Sequence, residues 1–233
     1  DAPVEALHEP ATDPEGRNVS RKSIIEVMRS THVAARAGAF PIITADPPWL
    51  FRDKLPGEGR GAGKNYDLMS TEDIAAKKGL TFEFPRVTDD AILFLWRLSC
   101  MVEEAYQVVR AWGFTPKTEI VWRKMTKNWS QHFGMGWYSR AGHETCIVAT
   151  RGRATNLVTN HGISSWFEAA VPLWPVDHPK VLAGEEKAGT IIHSGKPKEF
   201  GDLVEKMCAG PYVELFAREQ RPGWKCLGRE MPK

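Results

Sequence analysis

The stretch Phe40-Pro41-Ile42-Ile43-Thr44-Ala45-Asp46-Pro47-Pro48-Trp49 decides the reading of this 233-residue chain. Its first six residues read as a short buried strand. Pro47 and Pro48 then fix φ and remove two backbone donors, so the strand must stop there. Asp46 is left at the strand's carboxyl end, the edge of an α/β sheet where ligands bind. The Asp46 and Pro47 carbonyls fall outside any continuing ladder and are free for a ligand, and Trp49 offers a flat face beyond. An acid, a rigid carbonyl and an aromatic plane suit a planar heterocycle that carries an amino group. The same four residues could equally build a Pro-Pro turn with a capping Asp and a core Trp.

The surrounding pattern alternates strands and helices. Ser20 can cap a helix to about Ala37, closed by Gly38. The glycine- and proline-rich loop from Leu50 to Leu68 carries Arg52, Lys54, Arg60 and Lys64 and has the length of a functional lid. Ser70 starts a short helix that ends at Gly79. Ala91–Trp96 is a continuous apolar run, typical of a strand covered on both faces. A helix follows from about Met101 to Trp112, then strands at Thr118–Trp122 and Thr145–Ala149, a helix at Lys198–Met207 and a strand at Tyr212–Ala217. This order predicts an α/β fold with a mainly parallel, doubly wound sheet. Residues 1–18, rich in Pro, Glu and Asp, read as a loose tail before a single domain over 19–233. The opening residue, Asp1, is expected of a missing or processed start.

Composition excludes several classes. A hydrophobic share of 42% and a charged share of 26% are those of a globular protein. No apolar run approaches the ~20 residues of a membrane helix, and no secretory h-region occurs. Cys100, Cys146, Cys208 and Cys226 lack metal-ligand spacing, so they read as buried free thiols in a cytoplasmic or other intracellular compartment, with no metal site. Net charge is only +2. Basic residues nevertheless recur around 52–64, 117–140 and 218–233, which can be plain solvated surface or contacts for a polyanion.

Beyond the tetrad, the chain presents Tyr66, Met69-Ser70, Leu93-Phe94-Leu95-Trp96 and Glu119-Ile120-Val121-Trp122. It continues with Gly142-His143-Glu144-Thr145-Cys146, His193-Ser194-Gly195-Lys196-Pro197 and Glu214-Leu215-Phe216-Ala217-Arg218. In that order they resemble the N6-adenine methyltransferase family of the eukaryotic messenger-RNA adenosine methyltransferase catalytic subunit, with its bacterial and phage DNA-adenine relatives. The resemblance covers residues 40–229. It implies a Rossmann-like, S-adenosylmethionine-dependent methyltransferase with permuted motif order, the tetrad first and the cofactor strand near the C-terminus.

That resemblance assigns catalysis to Asp46, Pro47, Pro48 and Trp49. The Asp46 carboxylate and the Pro47 carbonyl would each accept one hydrogen of the target amino group, while Trp49 stacks on the base. Cofactor contacts fall to Asp46, His193, Ser194, Lys196, Phe216, Arg218, Glu219 and Gln220. Substrate contacts fall to Trp49, Arg52, Lys64, Tyr66 and His143, the last standing where eukaryotic relatives carry Lys. Cys146 reads as core, because methylating an amino nitrogen needs no covalent enzyme intermediate. Adenine in DNA is favoured over RNA as the target. Cytosine N4, a protein glutamine and a non-catalytic nucleic-acid-binding subunit are the other readings. Residues 151–192 are expected as an insertion that recognises the target, through Arg151, Arg153, Asn156, Asn160, Trp166 and Trp174; covering the sheet is the alternative role of the aromatics. A single domain of this size leaves room for a homodimer or a partner subunit.

Overall fold

The computed structural model describes residues 38–51, 68–134 and 138–229. The acidic tail, the helix expected at Ser20–Ala37, and Arg52, Lys64 and Tyr66 lie outside the described residues.

Seven strands form one sheet in the order β5-β3-β4-β2-β1-β6-β7. They are β1 (Ala39–Ala45), β2 (Arg86–Arg97), β3 (Thr115–Met125), β4 (His143–Arg151), β5 (Trp166–Ala170), β6 (Tyr212–Leu215) and β7 (Trp224–Leu227). All run in one direction except β4, which pairs antiparallel with both β2 and β3. The mainly parallel sheet and the permuted order expected from the sequence are present: the Asp46 strand lies at the centre, between β2 and the C-terminal β6.

Both faces of the sheet are covered, which is why its central strands read as unbroken apolar runs. On one face α2 (Val102–Ala111) packs Ala105, Val108 and Val109 against Ile43, Leu93 and Leu95, with Ile74 of the short helix α1 (Thr71–Ala76) beside them. On the other, α4 (Lys198–Met207) packs Phe200 and Val204 against Ile42, Phe94, Trp96 and Val148. The buried tryptophans find acceptors for their indole N–H groups: Trp112 donates to the Ile74 carbonyl and Trp122 to the Ala169 carbonyl.

Several boundaries differ from expectation. Helix α1 stops at Ala76 because Lys77 adopts φ +58, short of Gly79. Strand β6 stops at Leu215, since Phe216 turns the chain with φ +63. The Ala217 N–H then bonds the Leu227 carbonyl, and a Cβ at Gly228 would overlap the Ala217 oxygen, so only glycine lets the two chain ends meet. Cys100 is exposed in the turn before α2, whereas the other three thiols are buried. Residues 151–192 contribute β5, an edge strand whose Ala169 is core, and a one-turn helix α3 (Pro179–Leu182). Part of this segment is therefore integral to the sheet.

Candidate active site

The tetrad sits where β1 leaves the sheet. Asp46 still follows the β6 ladder, its N–H lying 3.5 Å from the Leu215 carbonyl. The prolines then turn the chain, and residues 48–50 form a short parallel bridge to Met69, with Met69 N–H on the Pro48 carbonyl and Leu50 N–H on the Met69 carbonyl, both 2.8 Å.

Two expectations for the tetrad change. The Pro47 carbonyl is not free, because it accepts the Trp49 N–H at 2.9 Å. One lone pair of that oxygen remains. Trp49 presents no open face either: it is 4% exposed, sits in the α2-side core and donates its indole N–H to the Trp96 carbonyl at 3.0 Å. Burial of the ring there anchors the turn that Pro47 and Pro48 begin.

Asp46 faces a cavity of about 680 Å³ between the carboxyl ends of β1 and β6 and the start of α4. All eight residues assigned to a cofactor from the sequence line it: Asp46, His193, Ser194, Lys196, Phe216, Arg218, Glu219 and Gln220. They arrive from three segments far apart in sequence, which is what a built site requires. Arg218 donates to the His193 carbonyl at 2.8 Å and so ties the loop after β6 to the loop before α4.

A charge ladder runs from the cavity into the sheet edge, with Asp46 and Lys196 on the cavity lining. Lys196 Nζ lies 2.7 Å from Asp46 Oδ2 and 3.3 Å from Glu144 Oε2, and Lys124 Nζ lies 2.5 Å from Glu144 Oε1. Lys196 also donates to the Ser194 carbonyl and stands 5.3 Å from the centre of the Trp96 ring. Burial pulls the Lys196 ammonium down, but the Asp46 and Glu144 carboxylates outweigh it and hold it above the ordinary lysine value. For Glu144, burial pushes up while Lys196 and Lys124 pull down, and the cations win. Lys196 and Glu144 are therefore both charged at neutral pH. Glu214, on the cavity wall, differs: burial and then the Asp46 charge push its carboxyl up to about 7.

Glu144 and Glu214 were legible only in part. Both lie inside motifs quoted from the sequence, yet His143 was chosen over its neighbour. Strand alternation decides between them. Glu144 is in phase with Cys146 and Val148, which share the α4 face with Ile42, so it points the same way as Asp46. His143 is exposed on the strand's other face and is no part of the cavity lining. Burial raises the Cys146 thiol far above its ordinary value, which fits core and excludes a nucleophile.

The segment 151–192 divides. Val171, Pro172, Leu173, Trp174, His178 and Lys180 form one wall of the cavity, with the Trp174 and His178 rings in edge contact at 4.5 Å. Arg151 lies at the opposite edge of the sheet, register-paired with Ala91 near the foot of β2. Its guanidinium donates to the Val87 and Thr88 carbonyls and covers the Phe114 ring. Arg151 is thus bound up in holding β2, and Asn160 caps the Gly162 N–H. Among the described residues no helix is long and apolar enough to cross a membrane.

The chain is similar in sequence to several known proteins. The chain is 26% identical over 208 residues to an N(6)-adenosine-methyltransferase MT-A70-like protein of Drosophila melanogaster, covering 83% of this chain and 27% of that one. It is 24% identical over 208 residues to the human N(6)-adenosine-methyltransferase catalytic subunit METTL3, covering 83% and 28%. It is 27% identical over 207 residues to the Type II methyltransferase M.MunI of a Mycoplasma species, covering 83% of this chain and 78% of that one. The chain therefore spans about a quarter of the length of the first two relatives and most of the third. The family model MT-A70 matches residues 40–230, the described sheet and its cavity from end to end, and the chain belongs to the MT-A70 methyltransferase family.

Proposed function

We propose that the protein transfers a methyl group from S-adenosylmethionine to the exocyclic N6 of adenine in DNA. The observation that carries this reading is Asp46: a carboxylate at the end of the central strand, facing a cavity that also holds paired cations and a second carboxylate.

The residues fit the cofactor by charge and by reach. Lys196 and the start of α4 suit a carboxylate. Asp46 and Glu214 suit an ammonium and a nearby sulfonium. Glu219 and Gln220, exposed on the loop after β6, suit the two hydroxyls of a ribose. Bound there, S-adenosylmethionine supplies an electrophilic methyl group on sulfur. The chain's own part is alignment and polarisation. Asp46 Oδ1 and the remaining lone pair of the Pro47 carbonyl accept the two amino hydrogens of the base. With the cofactor bound, that would leave the nitrogen lone pair available for its electrophile. Trp49 holds this turn from behind, and Lys196 fixes the Asp46 rotamer by occupying Oδ2.

DNA is preferred over RNA because M.MunI, a Type II methyltransferase, is matched over 78% of its length, whereas the adenosine methyltransferases carry long additional segments. The test is mass spectrometry of nucleosides after incubation of the full chain with S-adenosylmethionine and matched DNA and RNA. N6-methyldeoxyadenosine is expected, and Asp46→Ala should abolish it. Near-normal turnover by Asp46→Ala would sink the mechanism, and product in RNA alone would reassign the substrate.

A further inference from the structure

The loop between β3 and β4 bears no part of the cavity, yet among the described residues it carries three of the exposed large aromatic side chains. Residues 126–142 contain no carboxylate, two strong cations, Lys127 and Arg140, and four aromatic residues. Trp129 is 64% exposed, Phe133 55%, and Tyr138 fully so. Large aromatic rings that stay in water on one side of a domain mark a contact surface. The loop leaves the same sheet edge as Asp46, because β3 runs parallel to β1. Its base is wired to the site: Lys124 and Glu144, each one residue in from the loop end of its strand, are the outer pair of the ladder that reaches Asp46.

Residues 126–132 of the loop are also tied down by hydrogen bonds. The Gln131 side-chain amide donates towards the Lys124, His132 and Gly142 carbonyls, and its oxygen accepts Arg123 Nε at 2.7 Å. The Thr126 N–H bonds the Ser130 carbonyl, and the Trp129 N–H bonds the Thr126 carbonyl. Together these bonds hold Trp129 at φ +58, a left-handed backbone that a bulky residue adopts only where its surroundings enforce it. A strained, hydrogen-bonded turn that ends in an exposed indole is an ordered aromatic display.

We infer that this loop is the nucleic-acid contact of the protein: Trp129 and Phe133 stack on unpaired bases beside the target adenine, and Lys127 and Arg140 meet the flanking phosphates. The inference rests on the adenine reading above and extends it to the strand that carries the base. Absence of carboxylates fits a polyanion, and bare π-faces fit bases in a single strand or flipped from a duplex. A protein partner of ordinary composition needs neither the cation excess nor the joint exposure of Trp129, Phe133 and Tyr138.

Fluorescence anisotropy with a labelled, adenine-containing 20-nucleotide single strand, over a series of salt concentrations, tests it. Trp129→Gly is the informative variant, since glycine relaxes the left-handed backbone and removes the ring without threatening the fold. It should weaken binding by roughly 5- to 100-fold with little change in salt dependence. The double variant Lys127→Ala/Arg140→Ala should instead reduce the salt slope by about 1.4. Trp129→Phe should recover part of the affinity, and calorimetric S-adenosylmethionine binding should be unchanged in all three. Wild-type affinity in the Gly variant would overturn the inference while the methylation assay on wild-type protein independently judges the adenine reading. A change of oligomeric state in sedimentation, with strand affinity intact, would assign the loop to a protein interface instead.

Discussion

Lys196 Nζ and Asp46 Oδ2 meet at 2.7 Å across 150 residues of sequence, and this contact fastens the loop before α4 to the end of the central strand. Lys196 stands between two carboxylates, Asp46 and Glu144, whose side chains keep about a fifth of their surface in water. Its removal would leave both carboxylates without the cation they share. Lys196→Ala should therefore cost about 1–3 kcal/mol of stability, less than a fully buried pair would, and weaken S-adenosylmethionine binding at least tenfold. Thermal melts and calorimetry measure the two effects separately. Unchanged cofactor affinity would mean that Lys196 serves only the ladder.

Glu214 gives the protein an opposite pH signature from that of a paired carboxylate. The native state keeps its proton up to about pH 7, while the unfolded chain releases it near 4.5. Between those values the native state binds more protons, so stability falls as pH rises from about 4.5 to about 7, by at most about 3 kcal/mol. Glu214→Gln, which cannot ionise, should flatten that part of the profile. Urea unfolding of both proteins at pH 5 and pH 7.5 reads the difference, and identical profiles would refute the assignment. A cationic ligand beside Glu214 favours its charged form, so binding should release a fraction of a proton near neutral pH.

Trp49 is expected to act on stability before chemistry. Removing a ring that is 4% exposed leaves a cavity in the α2-side core and strands the Trp96 carbonyl. Trp49→Ala should cost about 3–5 kcal/mol. Trp49→Phe keeps much of the volume and loses the hydrogen bond, for about 1 kcal/mol. If turnover per folded molecule is unchanged in Trp49→Phe, the indole N–H has no role beyond holding the turn. A large loss of turnover at wild-type stability would restore a direct contact with the base.

The central strands and the helix Lys198–Met207 could be read directly, because their burial on both faces, or along one stripe, leaves an unmistakable pattern. The assembly of Asp46, Lys196 and Phe216 around one cavity was legible through motif order. The exposure of Trp49 was not, since an aromatic residue after two prolines looks the same whether its ring turns to water or to the core; only the Trp96 carbonyl, 47 residues away, decides it. Glu144 was passed over because the family resemblance pointed to the neighbouring position, His143, although the two-residue period of β4 separates their faces. Strand β5 escaped for a different reason: it is a short edge strand, paired on one side only, and its alternation spans five residues.

Arg151 tests how the segment after β4 should be understood. A basic residue followed by Gly-Arg invites a phosphate, yet the guanidinium is spent on the Val87 and Thr88 carbonyls, and its Nε is buried without a hydrogen-bond partner. It also covers the Phe114 ring, 5.3 Å from the ring centre. These contacts hold the entry of β2 against β4 at the sheet edge remote from Asp46. Arg151→Ala should therefore lower stability by about 1–3 kcal/mol, through two stranded carbonyls and a lost ring contact. Affinity for a DNA strand and its salt slope should stay at the wild-type values once folding is accounted for. A reduced slope with unchanged stability would return Arg151 to the nucleic-acid surface and place the phosphate path across the foot of the sheet.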